Sequence, residues 1–330
     1  MEHKKNATDG KSVAGKALST NGNLSQLEYT TNGADQRNEL IDMAEEGITD
    51  NSVITAEAEA EAAERALLAE GAHDEGNAQC THKRHSGRFA YSEALGWLHH
   101  NGRYWRTSGA DLAVDRAIVD TIIARGLAAL QSGEPEKYAK VVKNSVPSRS
   151  KVQGAKYLLS SLVATDTAEF DTDPDLLNCS NGAVDLRTGQ LQPHSPSQRF
   201  THCATVDYIP NASSQAWREW LTDTVGAEAA EWLQLAVGYS LTGHTSEEIL
   251  FYLVGPPRAG KGLFTETILA LLGSPLAKEV NFGTFTAQRT GDSQNFDLAP
   301  LRASRLIAAS ESNSYERFNE AKIKALTGGN

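Results

Sequence analysis

An α/β fold is predicted for this chain of 330 residues: a mixed α+β domain followed by an incomplete P-loop domain, with a disordered polar arm in front. Three observations predict it. Residues 249–272 run from an apolar stretch, ILFYLV, through GPPRAGKG into LFTETILALL, the strand, loop and helix order of a parallel α/β unit. Residues 89–194 hold two hairpin signals with helical periodicity between them. Residues 1–71 carry few large apolar side chains and much Asn, Ser, Thr, Ala and Glu, a composition that buries too little surface to offset its ordering entropy. The parts are therefore 1–71 for the arm, 72–240 for the mixed α+β domain and 241–330 for the loop-bearing domain.

The elements follow in chain order. TAEAEAEAAERALLAEGA (55–72) is rich in helix formers and reads as a solvated acidic helix ending at Gly71. FAYSEALGWLHHNGRYW (89–105) alternates apolar with polar residues around Asn101-Gly102, a pair that accepts positive φ in a tight turn. DLAVDRAIVDTIIARGLAAL (111–130) has helical spacing, and two more helical stretches run to about 164. NGAVDLRTGQLQPH (181–194) is a second hairpin, turning at Arg187-Thr188-Gly189. Two helices meeting near Gly226 fill 216–242. A strand is expected over 249–254, a helix over 262–273 and a strand, RLIAAS, over 305–310.

Length and composition set bounds on function. The chain is long enough for two domains with their own cores. No apolar run approaches the roughly 20 residues a bilayer span needs, and MEHKKNATDGKS has no apolar stretch behind its basic residues; a cytoplasmic protein is expected. Three scattered cysteines, Cys80, Cys179 and Cys203, argue for a reducing compartment. Cys80, His82 and His85 form C-x-H-x2-H, but without a second Cys pair the segment reads as a polar surface loop rather than a zinc site. The net charge of −11 opposes coating nucleic acid over the whole surface. Between Lys137 and Lys156 six cations run without an acid; this is either a local positive face, with Lys151 and Lys156 near DNA, or a solvated one.

Gly255–Lys261 fits G-x-x-x-x-G-K. Glycines let successive N–H groups turn toward a phosphate, and the following helix offers its positive end. Gly255, Pro256, Pro257, Arg258, Ala259, Gly260, Lys261, Gly262 and Leu263 are thus the expected nucleotide-binding residues, with Lys261 reaching the β and γ phosphates of ATP. Gly262 stands where a hydroxyl usually contacts Mg²⁺, and Thr265 lies one turn too far on to replace it. Glu311 follows the strand RLIAAS at its carboxyl end, where ligands of parallel sheets lie, and is expected to orient the attacking water and hold Mg²⁺. Asp297 reads either as a further acid or as a helix cap.

GPPRAGKGLF, NFDLAPLRASRLIAASES and RFNEAKIKALTGGN, in that order and spacing, resemble the phage and plasmid primase-helicase family, whose motor is a superfamily 3 helicase of the AAA+ type. DTDPDLLNCSNGAVDLRTGQLQPH is similar to the family's segment upstream of the motor, shared with poxvirus-type primases, and HDEGNAQC and GWLHHNGRYW to its beginning. The resemblance covers about 72–330 and implies an ATP-driven homo-hexamer that moves on single-stranded or forked DNA. It implies Walker A and Walker B roles for Lys261 and Glu311, and DNA proximity for Lys322 and Lys324. Glycine after the Walker lysine occurs within the family. The chain stops before the family's sensor asparagine and arginine finger, and no primase domain precedes the motor, so a C-terminally truncated motor is expected, and a separate primase as partner stays open. Two other readings stay open: a non-catalytic assembly or DNA-binding module, and a nucleoside monophosphate kinase, whose loop is similar but whose arginine-rich lid has no counterpart here.

Overall fold

The computed structural model describes residues 62–63, 65–286, 301, 303–310 and 318–328. Most of the predicted arm, together with Asp297 and Glu311, lies outside the described residues; helical backbone at 65–68 falls within the predicted 55–72 helix.

Helices α1 (Asp74–Arg84), α2 (Ala110–Gln131), α3 (Ala139–Asn144) and α4 (Arg149–Leu162) pack with an antiparallel sheet of β1 (Phe89–Ser92), β2 (Gly96–His100) and β3 (Trp105–Arg106). The Asn-Gly turn joins β2 to β3: Asn101 Oδ1 accepts from the N–H groups of Arg103 and Tyr104, each at 2.9 Å, and Gly102 sits at φ 97°. Val114, Ile118 and Ile122, one turn apart on α2, meet Val152, Ala155 and Leu159 of α4 and Phe89 and Trp97 of the sheet. Burying such side chains contributes about 1.5–3 kcal/mol each. Arg125, 2% exposed, ties this core to the preceding chain through Leu67 O (3.0 Å), Glu70 O (2.5 Å), Gly71 O (2.9 Å) and Asn77 Oδ1 (2.6 Å).

The segment expected as a polar loop at 80–85 is instead helix α1 and its end. His73 caps it, Nδ1 accepting from the Gly76 N–H at 3.2 Å, an unusual cap that leaves no Ser, Thr, Asp or Asn signal. Cys80 is buried, its thiol 3.5 Å from Leu67 O, and burial pushes its pKa up.

A second antiparallel sheet, β4 (Leu176–Cys179), β5 (Gly182–Asp185) and β6 (Gln190–Gln192), has its predicted turn, where Asp185 Oδ1 accepts from the N–H groups of Arg187 (2.8 Å) and Thr188 (3.1 Å). α5 (Gln215–Val225) and α6 (Ala227–Leu241) meet at Gly226. Next come α7 (Lys261–Leu272), β7 (Ala277–Asn281), β8 (Leu306–Ser310) and α8 (Glu320–Thr327). β7 and β8 pair in parallel, Ala277 opposite Leu306 and Asn281 opposite Ser310. Ile268 and Leu272 of α7 and Ala277 of β7 share one apolar cluster with Leu177, Cys179 and Val184 of the second sheet.

The predicted strand at 249–254 is not formed. None of the strands lies alongside it among the described residues, and Ile249 (45%), Leu250 (54%), Tyr252 (60%) and Val254 (81%) are exposed. Apolar β-branched and aromatic residues favour a strand only where a ladder partner satisfies the backbone. The fold is therefore mixed α and β with small sheets, and the P-loop domain predicted at 241–330 is not evident among the described residues. No described helix is long and apolar enough to cross a membrane.

Candidate functional site

Lys261 is the first residue of α7, and Gly260 before it adopts φ 80°, ψ −5°, the left-handed form. Having no side chain, Gly260 cannot cap the helix. Among the described residues the N–H groups of Lys261, Gly262 and Leu263 have no acceptor, and the first closed bond is Phe264 N–H to Gly260 O at 3.0 Å. Free donors at the positive end of a helix of 12 residues suit an anion.

The loop bends upstream as well. Ala259 N–H bonds Pro256 O at 3.3 Å, and Arg258 stands at φ 65°. Lys261 Nζ curls over the loop and donates to Gly255 O (2.7 Å) and Pro256 O (3.0 Å). An arriving phosphate would exchange these neutral acceptors for charged oxygens, which bind an ammonium about twice as strongly. Gly255, Pro256, Pro257, Arg258, Gly262 and Leu263 are exposed, and Ala259, Gly260 and Lys261 half-buried.

Near Gly262 the side-chain oxygens are few. The Thr265 hydroxyl donates to Lys261 O and Gly262 O, each at 3.0 Å, while Glu266 Oε1 comes within 3.9 Å of where a Gly262 Cβ would stand. Neither replaces a hydroxyl on the residue after the lysine. Ser310, the last residue of β8, donates to Glu279 Oε1 at 2.9 Å. Glu311 follows Ser310 but lies outside the described residues.

Sequence reasoning missed two residues at this site and the strand that follows α7. Glu279 belongs to β7, whose AKEVN is too polar to announce a strand. Trp220 and Thr224 of α5 lie directly against Gly260, and their helical spacing marked them only as part of a helix.

The lysines expected near DNA are placed as follows. Lys156 Nζ sits between Asp111 (2.8 Å) and Asp115 (2.9 Å), 12% exposed. Lys151 Nζ donates to the carbonyls of Asn144 (3.1 Å) and Val146 (3.0 Å). Lys322 is buried, with Nζ on Thr284 O at 3.2 Å, and Lys324 is exposed. From the basic stretch, Lys140, Lys143 and Arg149 are exposed and form no ion pair among the described residues.

Residues 78–226 match the family described as D5 N terminal like, a domain found in primase-helicase proteins of phages, plasmids and viruses. The matched stretch begins in α1 and ends at Gly226, ahead of the loop.

Proposed function

We propose, from that likeness, that the chain is a nucleotide-binding component of a DNA-replication motor of the primase-helicase kind, taking ATP through the Gly255–Lys261 loop. The observation that supports it most is the bent loop at the start of α7, with three N–H groups that have no acceptor among the described residues and the Lys261 amine folded back on the loop carbonyls. In this reading the N–H groups bind the β-phosphate and Lys261 moves onto the β and γ oxygens, neutralising charge in a preorganised site. Mg²⁺ supplies further neutralisation when bound. With Gly262 lacking a hydroxyl and the Thr265 hydroxyl engaged by its own helix, the cation would be held by water and by Glu311. Glu311 would orient the attacking water, and a neighbouring subunit of a homo-hexamer would supply an arginine. Single-stranded or forked DNA is the proposed track, with Lys324 as its exposed contact and a separate primase as a further partner.

Calorimetric titration with ATP and Mg²⁺ tests the reading. The wild-type chain should saturate, and Lys261→Ala should lose at least about tenfold in affinity, the equivalent of roughly 1.4 kcal/mol. Equal affinity in the two proteins removes the site assignment.

The exposed Ile249, Leu250, Tyr252 and Val254 favour a second reading, a module that assembles onto other subunits without turning over ATP. ATP hydrolysis with and without single-stranded DNA, alongside the mass in solution, separates the two.

A further inference from the structure

The loop rests on α5 at one narrow contact. A methyl group built on Gly260 would meet Thr224 Cγ2 at 3.0 Å and Trp220 Cζ2 at 3.1 Å, so a threonine methyl and an indole edge already fill the open side of this glycine. Thr224 is itself oriented: its hydroxyl donates to Trp220 O at 2.6 Å, which leaves the methyl for the loop. Trp217 stacks on Phe264 of α7 at 6.1 Å and 16°, and packs on Trp220 at 4.9 Å. One aromatic stack thus runs from α5 to the first turn of α7.

The loop needs such support. Arg258 holds φ 65°, and Gly260 φ 80°; a non-glycine residue at positive φ is strained and persists only where its surroundings over-determine it. Pro256, Pro257 and Arg258 face solvent, and the packing observed against the loop comes from α5.

We infer that Trp220 and Thr224 are positioning residues for the Gly255–Lys261 loop. They hold Gly260 in the left-handed form and so aim the N–H groups of 261–263 at a common point. That the point receives the phosphate tail of a nucleoside triphosphate rests on the reading given above. Because α5 lies within residues 78–226, the seat of the loop belongs to the stretch matching the D5 N terminal like family, and the loop and that stretch form one working unit.

Amide hydrogen exchange at Ala259 and Phe264, the amides of the 257–264 segment that are hydrogen-bonded within the loop and the first turn of α7, tests the seat directly when read without nucleotide. Trp220→Ala and Thr224→Ser should each speed exchange there by about fivefold or more, while α2 and α4 keep their wild-type protection, and Trp220→Phe should restore most of the loss. In titrations with ATP, Trp220→Ala should weaken binding about tenfold, with Trp220→Phe between it and wild type. Wild-type exchange at Ala259 and Phe264 in Trp220→Ala overturns the inference. Should Trp220→Ala also loosen α2, Thr224→Ser, which removes one methyl group, decides the matter by the same exchange measurement. Should the wild type bind no ATP, the nucleotide reading falls, and the exchange rates still decide whether α5 seats the loop.

Discussion

Arg125 sits in the middle of α2 and finds an acceptor for each of its nitrogens: Nε on Leu67 O, one terminal nitrogen on Asn77 Oδ1 and the other on the carbonyls of Glu70 and Gly71. Burial works against its charge and pulls its pKa down, countered by Cys80 and Glu70. Removing the side chain would strand the acceptors of Leu67 and Asn77, which remain buried, each costing about 1–3 kcal/mol. Arg125→Ala should therefore lose about 3 kcal/mol or more by urea denaturation, and Arg125→Lys most of that, since one ammonium cannot span the same fork. A loss under about 1 kcal/mol would show that the 67–71 segment does not depend on this clasp. Residue pattern alone gave little notice of it: an arginine inside DLAVDRAIVDTIIARGLAAL reads as a solvent-facing position, and only folding brings Leu67 and Asn77 around it.

Three histidines lie at the first sheet: His85, at the end of α1, and His99 both meet the Phe89 ring, while His100, next on β2 and on its opposite face, meets Trp105. Burial lowers all three pKa values; Arg88 adds to the effect at His85 and His99, and His194 and His99 add to it at His100. His99 Nδ1 is buried without a hydrogen-bond partner among the described residues. The unfolded chain takes up these protons near pH 6.5, before the folded one does. Stability is therefore complete above about pH 6.5 and is lost as pH falls through the lower folded-state values. The urea midpoint should drop between pH 7.5 and pH 5, and His99→Phe, which can keep a ring 5.7 Å from Phe89, should flatten that drop. An identical pH slope in wild type and variant would assign the acid sensitivity elsewhere. At this scale the chain was readable where local chemistry decides: the Asn101-Gly102 turn, the Asp185 to Gly189 turn, and α5 and α6 breaking at Gly226 all lie where expected. α1 and β7 were not, because a histidine cap and the polar AKEVN carry no strong local preference.

Arg305 directly precedes β8 and, among the described residues, binds main-chain carbonyls: Pro174 O and Leu241 O each at 2.9 Å, Leu176 O at 2.8 Å and Asp173 O at 3.3 Å. Burial lowers its pKa, and Asp171, Asp173 and Asp175 act to keep the charge. Arg305 thus joins the parallel pair to the loop before β4 and to the end of α6, while Gly243 N–H bonds Pro174 O at 2.8 Å beside it. Arg305→Ala should open the exposed 243–250 segment. Cleavage by a glutamate-specific protease after Glu247 or Glu248, read by mass, should run roughly tenfold faster, as expected for about 1.4 kcal/mol of local opening. An unchanged rate would mean that the cluster of Leu177, Val184, Ile268 and Leu272 holds this region without it.

Short-range chemistry determined what the sequence could reveal by itself: helical spacing in α2, α4, α5 and α7, the two hairpin turns, and a loop of the G-x-x-x-x-G-K pattern leading into a helix. Each is settled by residues within a few positions of one another, where backbone preference and side-chain periodicity act alone. What the tertiary structure decided is pairing and burial. ILFYLV reads as a strand, yet Ile249, Leu250 and Val254 are exposed and no sheet of the described residues includes the stretch; Lys156, one cation in a basic run, is claimed by Asp111 and Asp115 some forty positions earlier; and Gly260 is seated by Trp220 and Thr224 from another helix. Contacts between distant segments depend on how the faces of elements meet, and a single strand of letters carries no record of that meeting.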